Sequence, residues 1–98
     1  MSYIILWTYD VAPEHEAAFI DAYGPDGDWA QLFAKGAGFI EVELYRDGPL
    51  FFSIDRWLSA DAFNAFQTAF GTHYQALDAK LAHLSTNQRR IGAFSSAD

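Results

Sequence analysis

The stretch from Ile54 to Leu84 constrains this chain most, because it reads as a strand that turns directly into one long amphipathic helix. Ser59 stands where a helix N-cap belongs, since its hydroxyl can accept an amide N–H that the first helical turn leaves unpaired. Behind it Phe63, Phe66, Phe70, Tyr74, Leu77, Leu81 and Leu84 recur at steps of three and four residues, which gathers them into one broad apolar stripe. A helix this aromatic needs a sheet to lie on, so the remaining chain must supply strands with a matching apolar face. Gly71, on the flank of the stripe, is the position expected to bend or split the helix.

The strands are legible as such. Tyr3 to Asp10 is rich in β-formers, with Tyr3, Ile5, Trp7 and Tyr9 on one face and Ile4, Leu6 and Thr8 on the other. Both faces are apolar, which predicts a central strand covered on both sides. Pro13 suits the first position of a helix running to Ala22 or Tyr23, and Glu14 and Glu16 suit its positive end. Gly24-Pro25-Asp26-Gly27 then turns the chain, and Asp28 starts a short helical piece through Trp29, Leu32 and Phe33 that Gly36 and Gly38 stop. From Phe39 to Arg46, Ile40, Val42 and Leu44 alternate with Glu41 and Glu43, as in an edge strand with one wet face. Asp47-Gly48 and Pro49 mark a hairpin into Leu50 to Trp57, a strand again apolar on most of both faces. After the long helix, Ser85-Thr86-Asn87-Gln88 turns the chain into a last strand around Arg89 to Phe94, and Ser95 to Asp98 reads as a frayed tail.

The order βα(α)ββαβ is that of the ferredoxin-like α+β fold, a four-stranded antiparallel sheet with the first and third strands in the centre. The two strands apolar on both faces are those two. Because the helices of this fold cover one sheet face, the second face needs its own cover, and the simplest is the same face of a second subunit. Composition points the same way: 98 residues make one domain, spanning 1–98, and 51% hydrophobic with 17% aromatic residues exceeds what a globule of that size needs inside. A homodimer, a ligand cavity or both are therefore expected.

Other function classes fall away on composition. A net charge of −7 with only six Lys and Arg residues repels phosphate backbones and anionic lipid, so nucleic acid and membrane surfaces are poor partners. The absence of cysteine excludes disulfides, a thiolate nucleophile and sulfur-ligated metal, and fits a reducing cytoplasm. Met1 to Trp7 has no basic segment before its short apolar run, so neither a signal peptide nor a membrane span is read there. His-x-x-x-His and His-Glu-x-x-His motifs, phosphate loops, dinucleotide fingerprints and Gly-x-Ser-x-Gly elbows are all missing.

Tyr23-Gly24-Pro25-Asp26-Gly27-Asp28-Trp29, then Gly38-Phe39, then Asp55-Arg56-Trp57 followed by Ser59 and Ala62-Phe63, resembles the antibiotic biosynthesis monooxygenase-like domains of the dimeric α+β barrel superfamily. The resemblance covers nearly the whole chain. It implies a homodimer whose two sheets pack into a barrel, with a pocket in each subunit between its own sheet and helices. It also implies oxygenation without metal or other cofactor: an apolar pocket binds a phenol or quinol, a base helps to deprotonate it, and the electron-rich anion reduces oxygen itself. The same fold hosts cyclases, isomerases and non-catalytic binders of hydrophobic molecules. Its haem-degrading branch pairs a helix histidine with a tryptophan and a first-strand asparagine. Here Trp7 and Thr8 stand on the first strand and Phe66 takes the tryptophan's place, so only His73 is left to that option.

Against that background His73 is the candidate base, lying about 50° from the middle of the helical stripe and so half turned towards the sheet. The plainer alternative is a histidine anchored at the core margin. His83 points away from the stripe and His15 lies in the first helical turn, so both read as surface residues. Trp7, Tyr9, Trp29, Phe66, Tyr74 and Trp57 are candidates to wall a substrate pocket, with core packing as the alternative for each. Arg56 and Arg90 sit on strands between apolar or glycine neighbours, where a guanidinium can hold an oxyanion or carboxylate. The competing reading for both is a salt bridge to Asp55, Glu41, Glu43 or the partner subunit.

Overall fold

The computed structural model describes residues 2–97. Strand β1 (Tyr3–Asp10) leads through a 3₁₀ turn (Pro13–His15) into α1 (Glu16–Tyr23), and α2 (Asp28–Phe33) follows after the Gly24–Gly27 turn. The hairpin β2 (Phe39–Asp47) and β3 (Leu50–Trp57) precedes α3 (Ala60–Leu81), which tightens into a last 3₁₀ turn (Ala82–Leu84) before β4 (Asn87–Ser95). The strands form one antiparallel sheet in the order β2-β3-β1-β4, the ferredoxin-like arrangement. The two strands that are apolar on both faces are indeed the central pair.

Local chemistry sets each boundary. Ser59 is extended and its Oγ accepts the Ala62 amide at 3.1 Å, which caps α3. The helix breaks at Phe70, whose φ of −125° and ψ of 17° are non-helical, immediately before Gly71. Gly38 has a φ of 147° and lies so close to α3 that a Cβ on it would come within 2.5 Å of the Ala62 Cβ. Only glycine lets the start of β2 approach the helix this closely. Gly27 is similarly tight, because an added Cβ would stand 2.4 Å from the carbonyl oxygens of Asp21 and Ala22.

The core fills the space between the helices and one sheet face. Trp57, Phe19, Phe51 and Phe66 are its largest fully buried side chains. Trp57 ends β3 inside a ring of Phe33, Phe39, Phe63 and Phe66, with centroids 5.2 to 5.6 Å away. Burial of each such ring contributes roughly 1.5–3 kcal/mol, and edge-to-face pairs add about 0.5–1.5 kcal/mol. The opposite sheet face is also apolar. It carries Ile4, Leu6, Phe52 and Ile54 in the middle, with no helix over them, and Phe94 (49% exposed), Tyr45 (54%) and Leu50 (43%) around them.

Three expectations need correction. A bulge between Phe39 and Glu41 aligns Phe39 with Trp57, so Ile40 is left exposed instead of sharing the inner face with Val42 and Leu44. Strand β4 is longer than expected, from Asn87 to Ser95, because its backbone pairs with β1 on both sides of a bulge at Ile91. The tail is held as far as Ser96, whose amide donates to the Ser2 carbonyl at 2.8 Å while its Oγ accepts the Ser2 amide at 3.2 Å. The end of that tail at Asp98, like Met1, lies outside the described residues.

Candidate active site

A cavity of about 120 Å³ lies between the inner face of the sheet and the helices. The sheet supplies its floor by simple alternation: Trp7 and Tyr9 from β1, Ser53 and Asp55 from β3, Val42 from β2 and Gln88 from β4. Register explains the grouping, since Tyr9 stands opposite both Phe51 and Gln88, Trp7 opposite Ser53, and Asp55 opposite Val42 and Ile5. The helices supply the roof through Tyr23 of α1, Trp29 and Phe33 of α2, and Tyr74 and Asp78 of α3. Gln88 is the exposed residue of this lining and marks its open side.

The aromatic wall is continuous. Tyr9 meets Phe19 at 5.1 Å and Tyr23 at 5.0 Å, both edge-on, and Trp7 stacks beside it at 6.3 Å. Across the cavity Trp29 meets Tyr74 at 4.9 Å and Phe33 at 5.6 Å. The short α2 places Trp29 there because the glycine turn before it folds the chain back over the sheet, and the break at Phe70 lies one turn before Tyr74.

Polar groups are interleaved with the rings of this wall, and two of them stand without partners. The Trp29 indole N–H is buried and has no hydrogen-bond partner. Asp55 makes no hydrogen bond or ion pair to any other described side chain, although its neighbour in sequence is an arginine. Asp55 is half-buried among these side chains, and its removal from water pushes the carboxyl up to about 7, since ionisation there forfeits hydration without a compensating cation. Burial likewise raises the Tyr9 phenol far above its ordinary range and takes Tyr74 up to about 12, with the Asp55 and Asp78 carboxylates adding to the Tyr74 shift. Tyr23 is raised too, again chiefly by burial. The three phenols are therefore hydrogen-bond donors at neutral pH, whereas Asp55 exchanges a proton there.

Of the residues singled out from sequence, Trp7, Tyr9, Trp29 and Tyr74 meet in this cavity. Phe66 does not; it is 2% exposed and packs between Phe33, Trp57 and Phe70. Trp57 is likewise part of the core. Arg56 points to the other sheet face, where it pairs with Glu43 at 2.8 Å and with Glu41 at 3.6 Å. Strand alternation dictates this, because Arg56 follows inward-facing Asp55. His73 is exposed, touches Phe70 edge-on at 5.9 Å and lies outside the cavity lining. The helical angle that half turns it towards the sheet is not enough, because Tyr74 occupies the inward position beside it. Arg90 stands opposite Trp7 on β4 but is exposed and outside the lining. Among the described residues no three His, Asp or Glu side chains converge as metal ligands would.

Sequence reasoning missed Tyr23, Phe33, Val42, Ser53, Asp55, Asp78 and Gln88. Two of them carried a readable signal: Ser53 and Asp55 are polar residues at alternate positions between Phe51 and Trp57, on the face that strand β3 turns to the core.

The fold and the cavity define a small ferredoxin-like α+β protein with an aromatic-walled cavity between sheet and helices. The antibiotic biosynthesis monooxygenase family model matches residues 2–80, and the chain belongs to that family. Among solved structures, the monooxygenase from the gene ActVA-Orf6 of Streptomyces coelicolor, in complex with nanaomycin D, is similar with a TM-score of 0.76 and 14% identity. That alignment covers 99% of this chain and 88% of the other. SnoaB of Streptomyces nogalater, described as a cofactor-independent oxygenase, is 27% identical with a TM-score of 0.58, covering 99% of this chain and 92% of that one. A conserved protein from Methanosarcina mazei is similar with a TM-score of 0.70 and 11% identity over 98% of this chain and 93% of its own. No curated protein matches the chain in sequence.

Proposed function

We propose that this protein is a cofactor-independent monooxygenase that oxidises a neutral aromatic phenol, quinol or anthrone-type compound held in the cavity. The observation that carries this reading is the cavity itself, with its continuous aromatic wall, to which Trp29 brings a buried N–H that no described group accepts, as Trp57 does in the core. An unpaired buried donor costs about 1–3 kcal/mol, and a ligand oxygen accepting from it removes that cost. Family membership and the likeness to SnoaB support oxygen as the second substrate. In the balanced reaction a CH₂ or C–H/O–H pair of the ligand loses two hydrogens, one atom of O₂ bonds to the carbon that lost its hydrogen and forms a new carbonyl there, and the other leaves as water with the two hydrogens. The electrons come from the ligand anion, so the protein needs to orient, desolvate and accept a proton. A cavity of about 120 Å³ is sized for about one aromatic ring, and further rings of a fused substrate extend through the open side by Gln88.

The uncovered apolar sheet face supports a homodimer, with the same face of a second copy as its cover. No described helix is long and apolar enough to cross a membrane, and we propose the cytoplasm as the compartment of action. Oxygen uptake tests the function. Purified protein freed of metal by chelation should consume oxygen with anthrone and no added reductant. Ligand binding or rearrangement without oxygen uptake would instead assign the cavity to a binder, a cyclase or an isomerase.

A further inference from the structure

Two carboxyl groups line the cavity, Asp78 from the helical roof and Asp55 from the sheet floor, and Asp55 is the one set among the inward-facing strand residues. It lies on β3 opposite Ile5 and Val42, in the lining, with no described hydrogen-bond or ion-pair partner. The titratable and charged groups facing this space are Tyr9 of β1, Tyr23 of α1, Tyr74 and Asp78 of α3, and Arg90 at the edge on β4. β2 contributes only Val42 and α2 only Trp29 and Phe33. Arg56, which sequence proximity would make its partner, is turned to the other face and engaged by Glu43 and Glu41. A carboxylate drawn half out of water without a cation is costly, and such groups concentrate where chemistry uses them.

We infer that Asp55 is the proton acceptor of this site, taking the acidic hydrogen of a neutral phenolic or enolic substrate. The inference rests on the oxygenase reading only for the steps after proton transfer. In the transfer itself the ligand O–H bond breaks, the proton goes to an Asp55 carboxylate oxygen, and the electron pair stays on the ligand oxygen. Negative charge is moved across the cavity, not created in it, so no new charge separation opposes the transfer. Asp55 also gains, because protonation ends its uncompensated burial. The new anion meets the Trp29 N–H and the Tyr9, Tyr23 and Tyr74 hydroxyls, all groups able to donate to it. The same arrangement selects against substrates that already carry a carboxylate, since Asp55 and Asp78 face them with like charge.

The test uses two probes of one shape, 1-naphthol with an O–H and 1-methoxynaphthalene without it, titrated by tryptophan fluorescence from about pH 5 to about pH 8. In the wild-type protein, 1-naphthol affinity should rise roughly fivefold or more as the pH passes about 7, while 1-methoxynaphthalene binding stays level. Asp55→Asn should bind both probes with level profiles, and should lower anthrone oxidation by about a hundredfold or more. A 1-naphthol dependence that survives in Asp55→Asn, or that 1-methoxynaphthalene shares, overturns the assignment. If the wild-type protein takes up no oxygen with anthrone, the oxygenase reading fails, and the naphthol pair still decides Asp55. His73→Ala, which removes an exposed side chain outside the cavity lining, should keep the wild-type 1-naphthol profile.

Discussion

Trp29 and Tyr74 face each other across the helical side of the cavity with ring centroids 4.9 Å apart, although one belongs to the short α2 and the other to the long α3. Their contact joins the two helices that roof the site. Because the Trp29 N–H has no partner, replacing it by phenylalanine should spare the fold and reach the ligand. Trp29→Phe is expected to lose about fivefold in affinity for a ketone-bearing aromatic such as anthrone, about 1 kcal/mol, as read by direct binding. The affinity for naphthalene, which has no oxygen, should change less.

Asp55 also leaves a mark on stability. Burial raises its carboxyl from 3.8 to about 7, so the unfolded chain ionises first as the pH rises. Its contribution is fully present below about 3.8 and is lost progressively as the pH climbs through about 7. At about pH 8, Asp55→Asn should therefore be more stable than the wild-type protein by on the order of 2–4 kcal/mol, and near pH 4 the gain should largely vanish. Urea unfolding at the two pH values measures this. A variant less stable at both would show that the carboxylate has a partner.

The close approach of Gly38 to Ala62 ties the entry of β2 to the first turn of α3. Gly38→Ala combines an unfavourable positive φ with a methyl contact of 2.5 Å, and is expected to lose about 1–3 kcal/mol. Adding Ala62→Gly should recover the steric part and leave the backbone part. A double-mutant cycle by thermal unfolding separates them.

Phe94 stands on the uncovered sheet face opposite Ile4, 49% exposed. In a dimer that buries this face, Phe94→Asp places an unpaired charge in the interface, and light scattering should report a shift from dimer to monomer at micromolar protein. The small helical core side, on the other sheet face, should stay folded by circular dichroism.

How far these features were legible depends on what carried them. Apolar alternation in β1 and β3, the stripe on α3 and the glycine at its break were all periodic signals, and they placed the central strands, the helix and its kink. The aromatic residues Trp7, Tyr9, Trp29 and Tyr74 were legible as candidates because large rings on the inner face either pack or wall a cavity. Two kinds of information were not local. The bulge at Ile40 arises from pairing with β3 and turns that side chain outward against the pattern. That Asp55 lines the cavity and His73 does not was hidden for a related reason: a histidine draws attention by type, whereas an aspartate beside an arginine reads as a salt bridge. Strand alternation sends Arg56 and Asp55 to opposite faces, and that leaves the aspartate alone in the cavity.

The most direct measurement traces labelled oxygen into product. Metal-free protein is incubated with anthrone and ¹⁸O₂ and the quinone is analysed by mass spectrometry, alongside Ser53→Phe, which fills the cavity from the buried floor position. The expected result is one ¹⁸O atom per product molecule with the wild-type protein, unaffected by His73→Ala, and loss of nearly all product with Ser53→Phe whose fold is intact by circular dichroism. Labelled product formed as fast by the folded, filled variant as by the wild-type protein, or no label in the product at all, would contradict oxygenation in this cavity.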